Sequence, residues 1–220
     1  MMKPSNTQSY IPALKYHALT GYYDQVVSLT TREATFKSAL VDQTAPLAGH
    51  HLLDVGCGTG TLTQMFAERE PSLTITGLDA DPGVLEIARN RLASANQCVS
   101  LQQGFAQDMP FESATFDMAV SSLFFHHLNR RQKLEVLHEI RRVLKPGGQL
   151  HIADWGKPSS FVQRGLFLLV QCLDSFETTR DSVEDLLPDL LEEAGLVDVA
   201  KGACIPTALG TIRLLRAKKS

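Results

Sequence analysis

The stretch HLLDVGCGTG, residues 51–60, decides the fold. Leu52, Leu53 and Val55 bracket Asp54, and glycines then follow at every second position, Gly56, Gly58 and Gly60. A short apolar run ended by turn residues reads as a buried strand. Glycine reaches positive φ and carries no Cβ to hold a ligand away. A helix follows in TLTQMFAER, with Leu62, Met65 and Phe66 on one face and unpaired N–H groups at its start. Strand, glycine turn and helix N-terminus in direct succession bring the backbone close to a ligand. The frame is not GxGxxG, because the third position falls on Thr61, so a dinucleotide is disfavoured; no GxxxxGK[ST] run exists either.

Outward from this stretch, strands and helices alternate. LTITGLD (73–79) is a strand, and Asp81 followed by Pro82 caps a helix that stacks Val84, Ile87, Ala88 and Leu92. CVSLQQ (98–103) and FDMAVSSLFF (116–125) are two more strands. RQKLEVLHEIRRVL (131–144) is a helix with Leu134, Leu137, Ile140 and Leu144 in register, stopped by KPGG, and QLHIADW (149–155) is the next strand. Residues 161–176 read as an extra, mostly apolar helix. SVEDLLPDLLEEAG (182–195) is helical in spacing, with Pro188 leaving open whether it is one helix or two. LVDVAKGACI (196–205) and LGTIRLLRA (209–217) close the chain as two strands, in a possible hairpin. This order predicts an α/β, Rossmann-like, doubly wound fold: a mainly parallel seven-stranded sheet with an antiparallel C-terminal strand. Residues 1–44 are expected to form an N-terminal helical cap, and 45–220 a single domain in which 157–180 is a helical insertion over the site.

The chain has 220 residues, 44% hydrophobic and 20% charged, with net charge −3 and pI ≈ 6.2. That balance is globular and argues against a nucleic-acid partner. The basic C-terminus (Arg213, Arg216, Lys218, Lys219) reads as a solvated end. Cys57, Cys98, Cys172 and Cys204 form no CxxC pair, so reduced thiols in the cytoplasm are expected, with neither disulfides nor a metal site. The N-terminus lacks an apolar signal segment, and the 161–176 stretch is too short and too interrupted to span a bilayer.

LLDVGCGTG resembles the first motif of class I S-adenosylmethionine-dependent methyltransferases. TGLDADPGVLEIARNRL looks like the second, GFAQDMPFESATFDMAVSSLFFHHL like the third and fourth, and EIRRVLKPGGQLHIAD like the segment entering strand five. The resemblance covers roughly residues 48–156 and is nearest in flavour to the ubiquinone/menaquinone-biosynthesis-like small-molecule branch. It implies S-adenosylmethionine as cofactor. Gly56, Cys57, Gly58 and Gly60 would line its methionine half, Asp54 would support the loop or reach the ammonium, and Asp79 would take the ribose hydroxyls. Ala80, Ala106, Gln107 and Asp108 would lie by the adenine, and Ser121 near the methyl group. The third motif departs from the family: Phe105 stands where an acid usually reads the adenine amine.

Methyl transfer asks mainly for alignment and exclusion of water, so a catalytic residue need not show. None does clearly; His126, His127 and Asp154 are the candidates for a base. Trp155, the only tryptophan, either walls an acceptor pocket or packs the strand end. Aromatic residues in 10–44 and 157–180 suit a small, partly apolar acceptor. The alternative is a non-catalytic sensor or partner protein binding the same cofactor or a nucleotide.

Overall fold

The structure, a computed structural model, describes residues 32–93, 98–157, 163, 165, 181, 184–208 and 210–220. Most of the expected cap, and nearly all of the 157–180 insertion, lie outside the described residues.

The described elements are α1 (Glu33–Thr44), β1 (His51–Val55), α2 (Thr61–Arg69), β2 (Thr74–Asp79), α3 (Pro82–Leu92), β3 (Val99–Gln103), β4 (Phe116–Ser122), α4 (Arg130–Val143), β5 (Leu144–Gly156), α5 (Leu187–Glu193), β6 (Leu196–Pro206) and β7 (Thr211–Lys219). One 3-10 turn, Phe125–His127, follows β4. The seven strands form one sheet in the order β3-β2-β1-β4-β5-β7-β6. β1 to β5 are parallel; β7 runs antiparallel to β5 and pairs with β6 as a hairpin. The order reverses beside β1, so the carboxyl ends of β1 and β4 flank a crevice.

Alternation along the strands sorts the core into two faces. Leu52, Met118, Val120 and Trp155 pack with Phe36, Leu40, Leu62 and Phe66 of α1 and α2. Leu53, Ala119, Leu150 and Ile152 pack with Val136, Leu137 and Ile140 of α4 and with Leu190 and Leu191 of α5. A sheet covered on both faces is what near-continuous apolar strands require.

Three local expectations change, and the place of Pro188, left open by the sequence, is given. The buried face of α3 is Val84, Leu85, Ala88 and Leu92, while Ile87 is exposed. On α4 the buried set is Lys133, Val136, Leu137, Ile140 and Val143, with Leu134 only partly covered. KPGG does not stop that helix: α4 ends at Val143, Leu144 already pairs with Phe116, and residues 145–148 bulge within β5 before Met118 meets Gln149. The Lys145 ammonium, 2.8 Å from both Asp117 carboxylate oxygens, ties the bulge to β4. Pro188 lies in the first turn of α5, where its missing N–H costs nothing, and Asp185 at φ 58 breaks the chain just before it.

Candidate active site

β1 hands directly to the glycine loop. Gly56, Gly58 and Gly60 all take positive φ, at 71°, 53° and 77°. The Gly56 and Cys57 N–H groups both donate to the Leu78 carbonyl, at 2.8 and 3.0 Å, which fastens the loop to β2. A Cβ on Gly58 would meet nothing within 4 Å, so that face of the loop is open. Arg91 of α3 reaches back and donates to the hydroxyls of Thr59 and Thr61 on either side of Gly60.

Two acids stand behind the loop. Asp54 is buried and accepts from the Thr63 hydroxyl at 2.6 Å. Burial pushes its pKa up from 3.8 to about 6, against the pull of Thr63. Asp79 accepts from the Gly58 N–H at 2.9 Å and, through its other oxygen, from the Asp81 N–H at 3.0 Å. Burial raises its pKa as well, and those two N–H donors oppose the rise. Each Asp79 oxygen keeps accepting capacity for a further donor. Asp81 is the α3 cap, accepting from the Gly83 N–H at 2.7 Å, with Pro82 in the first turn. Burial pushes the Cys57 thiol far up, with Asp54 and Asp79 adding to the effect, so it is inert as a nucleophile.

The turn after β3 begins where the Gly104 N–H donates to the Asp79 carbonyl at 3.0 Å. Phe105 is exposed, Ala106 buried, Gln107 half-buried and Asp108 exposed. Glu139 and Arg142 of α4 clamp this turn: Glu139 accepts from the Met109 N–H at 2.8 Å, and Arg142 donates to the Met109 and Phe111 carbonyls.

At the β4 end, Ser121 gives its hydroxyl proton to the Val55 carbonyl at 2.9 Å, bridging β4 and β1. The Ser122 Oγ is buried and has no partner among the described residues. Leu123 then takes φ 52°, and the ring of Phe124 lies against the glycine loop: a Cβ on Gly56 would sit 2.5 Å from Phe124 Cδ2.

Asp154, near the end of β5, collects this turn. One carboxylate oxygen accepts from the Phe124 and Phe125 N–H groups at 3.1 and 2.7 Å; the other accepts from the Trp155 N–H at 2.7 Å and pairs with His126 Nδ1 at 2.8 Å. A carboxylate only accepts, so His126 Nδ1 is the donor. Burial pushes the Asp154 pKa up, but His126, the Trp155 N–H and His127 outweigh it and hold it below the ordinary value. His127 is exposed with its ring centroid 4.0 Å from that of His126, and His138 is exposed on α4. Trp155 is buried in the α1–α2 face of the core, edge-on to His126. No cluster of three metal-ligating side chains occurs among the described residues.

The fold thus brings Asp54, Gly56, Cys57, Gly58, Gly60, Asp79, Ala80 and Ser121 to one sheet edge, while Asp108 sits on the rim. Ser122 belongs to the same edge, as do Arg91 and Phe124, which were not singled out by sequence. The Phe124 contact had one local signal, an aromatic two residues past a strand-end serine pair.

A positively charged, nucleoside-bearing cofactor fits these residues. Gly58 opens a path for close approach, Ser122 offers an unpaired buried hydroxyl, and two buried carboxylates gain from a nearby cation. Strand, glycine loop, helix and a second-strand acid define a nucleoside-cofactor α/β enzyme. A methyltransferase-domain family model matches residues 52–148. The chain is 34% identical over 172 residues to the demethylmenaquinone methyltransferase of Symbiobacterium thermophilum, covering 75% of this chain and 67% of that one. It is 30% identical over 187 residues to an uncharacterised methyltransferase of Synechocystis sp., covering 81% and 85%. The crystal structure of a putative O-methyltransferase from Nostoc punctiforme shares the fold at TM-score 0.76, with 18% identity, over 97% of this chain and 64% of that one. The chain belongs to the class I S-adenosylmethionine-dependent methyltransferases, in the quinone-biosynthesis-like branch. It is accordingly an enzyme, with S-adenosylmethionine as its cofactor.

Proposed function

We propose that the enzyme methylates a small, partly apolar acceptor of the quinol or phenol kind, and that residues 10–44 and 157–180 roof the acceptor over the sheet edge. The observation that carries the cofactor half is the Asp79 carboxylate bonded to the Gly58 N–H, which joins the β2 acid to the open face of the glycine loop. On this reading Gly56, Cys57, Gly58 and Gly60 line the methionine half and Asp54 supports the loop or faces the ammonium. Asp79 takes the vicinal ribose hydroxyls, and Ala80, Ala106, Gln107 and Asp108 flank the adenine. Ser121 holds β4 at the right height beside β1. The bound cofactor supplies an activated methyl group on a sulfonium.

The protein's own task is then to align the acceptor and exclude water. Asp154 has no accepting capacity left for an acceptor proton, since each of its oxygens already takes two donors. It is therefore not assigned as the base. The acceptor class is supported by the demethylmenaquinone methyltransferase relative and by the aromatic residues of the two flanking segments. Among the described residues no helix is long and apolar enough to cross a membrane. Cys57, Cys98 and Cys204 are free thiols, which supports the cytoplasm as the site of action. The acidic balance supports a small-molecule acceptor over nucleic acid.

The test is transfer of labelled methyl from S-adenosylmethionine to paired acceptors of equal size, quinols and phenols against polyols and amino acids. Label is expected in the apolar aromatic set. Equal or better transfer to the polar set overturns the acceptor class.

A further inference from the structure

Asp154 lies outside every motif that contacts cofactor in the reading above, yet it is the most densely bonded carboxylate at the sheet edge. It is 3% exposed and takes four donors, three of them backbone N–H groups. Two of those N–H groups belong to Phe124 and Phe125, in the turn that leaves β4. That turn starts from a strained residue, Leu123 at φ 52°, whose N–H donates to the Ala153 carbonyl at 2.9 Å. A left-handed leucine persists only where its surroundings enforce it. The outcome of the enforced turn is the Phe124 ring resting on Gly56, the first residue of the cofactor loop.

We propose that Asp154 is a positioning residue for cofactor binding: through the backbone of Phe124 and Phe125 it sets the ring of Phe124 as a wall against the glycine loop. The assignment rests on the glycine loop and Asp79 being the cofactor site. The physical reason is directional. An acceptor with two oxygens satisfies donors arriving from both sides, the turn after β4 and the Trp155 N–H of β5, and His126 of the same turn completes the set. Asparagine in the same place has one oxygen and one NH2 group. With the NH2 toward the turn, the Phe124 and Phe125 N–H groups lose their acceptor; with it toward Trp155 and His126, they keep an oxygen but lose the charge that strengthens both bonds. The turn then loosens while the side-chain volume is unchanged.

The experiment is a double-mutant cycle read by cofactor affinity, with S-adenosylhomocysteine titrated calorimetrically into the wild-type chain, Asp154→Asn, Phe124→Ala and the double variant. Asp154→Asn is expected to weaken binding at least about tenfold in the wild-type background and less than about twofold in the Phe124→Ala background, because coupled residues do not add. Backbone amides of Phe124 and Phe125 should exchange at least about fivefold faster in Asp154→Asn without cofactor. A purely structural carboxylate lowers thermal stability but leaves affinity unchanged, or adds to Phe124→Ala; either result overturns the proposal. Asp79→Ala is the control. If it weakens binding and Asp154→Asn does not, only this proposal fails. If Asp79→Ala also leaves affinity intact, the site reading and the proposal fail together. Should Asp154→Asn not fold, the wild-type chain decides: cofactor should slow exchange at Phe124 and Phe125, and no slowing overturns the proposal.

Discussion

Replacing Asp54 by Asn should stabilise the empty enzyme at neutral pH and weaken its grip on the cofactor. Asp54 is 1% exposed, and burial lifts its pKa from 3.8 to about 6. A folded pKa raised above the unfolded one contributes stability that is complete below 3.8 and is lost as pH rises through about 6. At about pH 7.5 the ionised carboxylate therefore costs the fold roughly 3 kcal/mol, at ~1.4 kcal/mol per pH unit. Asn removes the charge and keeps an oxygen for Thr63. Its NH2 group needs an acceptor, which takes back about 1–2 kcal/mol. A net gain of about 1–2 kcal/mol raises Tm by roughly 2–8 °C in a chain of this size. The gain should shrink toward zero at about pH 4.5, where Asp54 is already protonated. Affinity for S-adenosylhomocysteine should fall at least about tenfold, because a charge-assisted partner is lost. Thermal unfolding by circular dichroism at both pH values, with calorimetry at pH near 7.5, reads all three quantities. A variant that melts several degrees lower at neutral pH and binds as well as wild type would refute the reasoning.

Three more outcomes are expected. His151 is buried and held near pKa 4 by burial and by Arg216, so the stability it contributes is complete above 6.5 and lost as pH falls from 6.5 through about 4. Replacement by Leu should flatten that acid arm, worth up to roughly 3 kcal/mol, in urea melts across the window; an unchanged arm assigns the acid sensitivity elsewhere. Gly56→Ala places a Cβ 2.5 Å from the Phe124 ring at φ 71° and should cost about 1–3 kcal/mol of stability together with most cofactor affinity; calorimetric binding at wild-type strength counts against the packing described. Gly58→Ala has free space around its Cβ and should lose less stability, about 1 kcal/mol from the backbone alone, so a melt showing it as damaging as Gly56→Ala would contradict the open face of the loop.

Much of the architecture was legible because its signals are local. A strand-ending acid, three alternating glycines and a helix start lie within one short segment, and Asp81-Pro82 is a cap that works through its own neighbours. The strand and helix alternation likewise implied the parallel sheet and the C-terminal hairpin. What escaped depends on residues far apart in the chain. A helical stripe of Val84, Ile87, Ala88 and Leu92 differs by one position from the buried stripe with Leu85, and the choice depends on how α3 is rotated on the sheet. Lys133 is buried with its ammonium 2.8 Å from Asp181, 48 residues away, a pairing that no local pattern signals. KPGG reads as a stop from composition, whereas Leu144 is drawn into pairing by Phe116 and the glycines are absorbed as a bulge. Asp154 was visible as a strand-end acid, but its tie to His126 and the β4 turn spans 28 residues and leaves no periodic trace.

The measurement that bears most directly on the central claim is calorimetric titration of S-adenosylhomocysteine into the wild-type enzyme, Asp79→Ala and Asp108→Ala. Asp79 joins the second strand to the glycine loop, whereas Asp108 is exposed on the rim. Loss of two charge-assisted bonds to the ribose should cost Asp79→Ala about 2–4 kcal/mol, roughly 30- to 1000-fold in Kd. Asp108→Ala should stay within about threefold of wild type, under 1 kcal/mol. An Asp108→Ala loss equal to or larger than that of Asp79→Ala would contradict the account, placing the cofactor's recognition on the adenine-side turn in place of the acid at the end of β2.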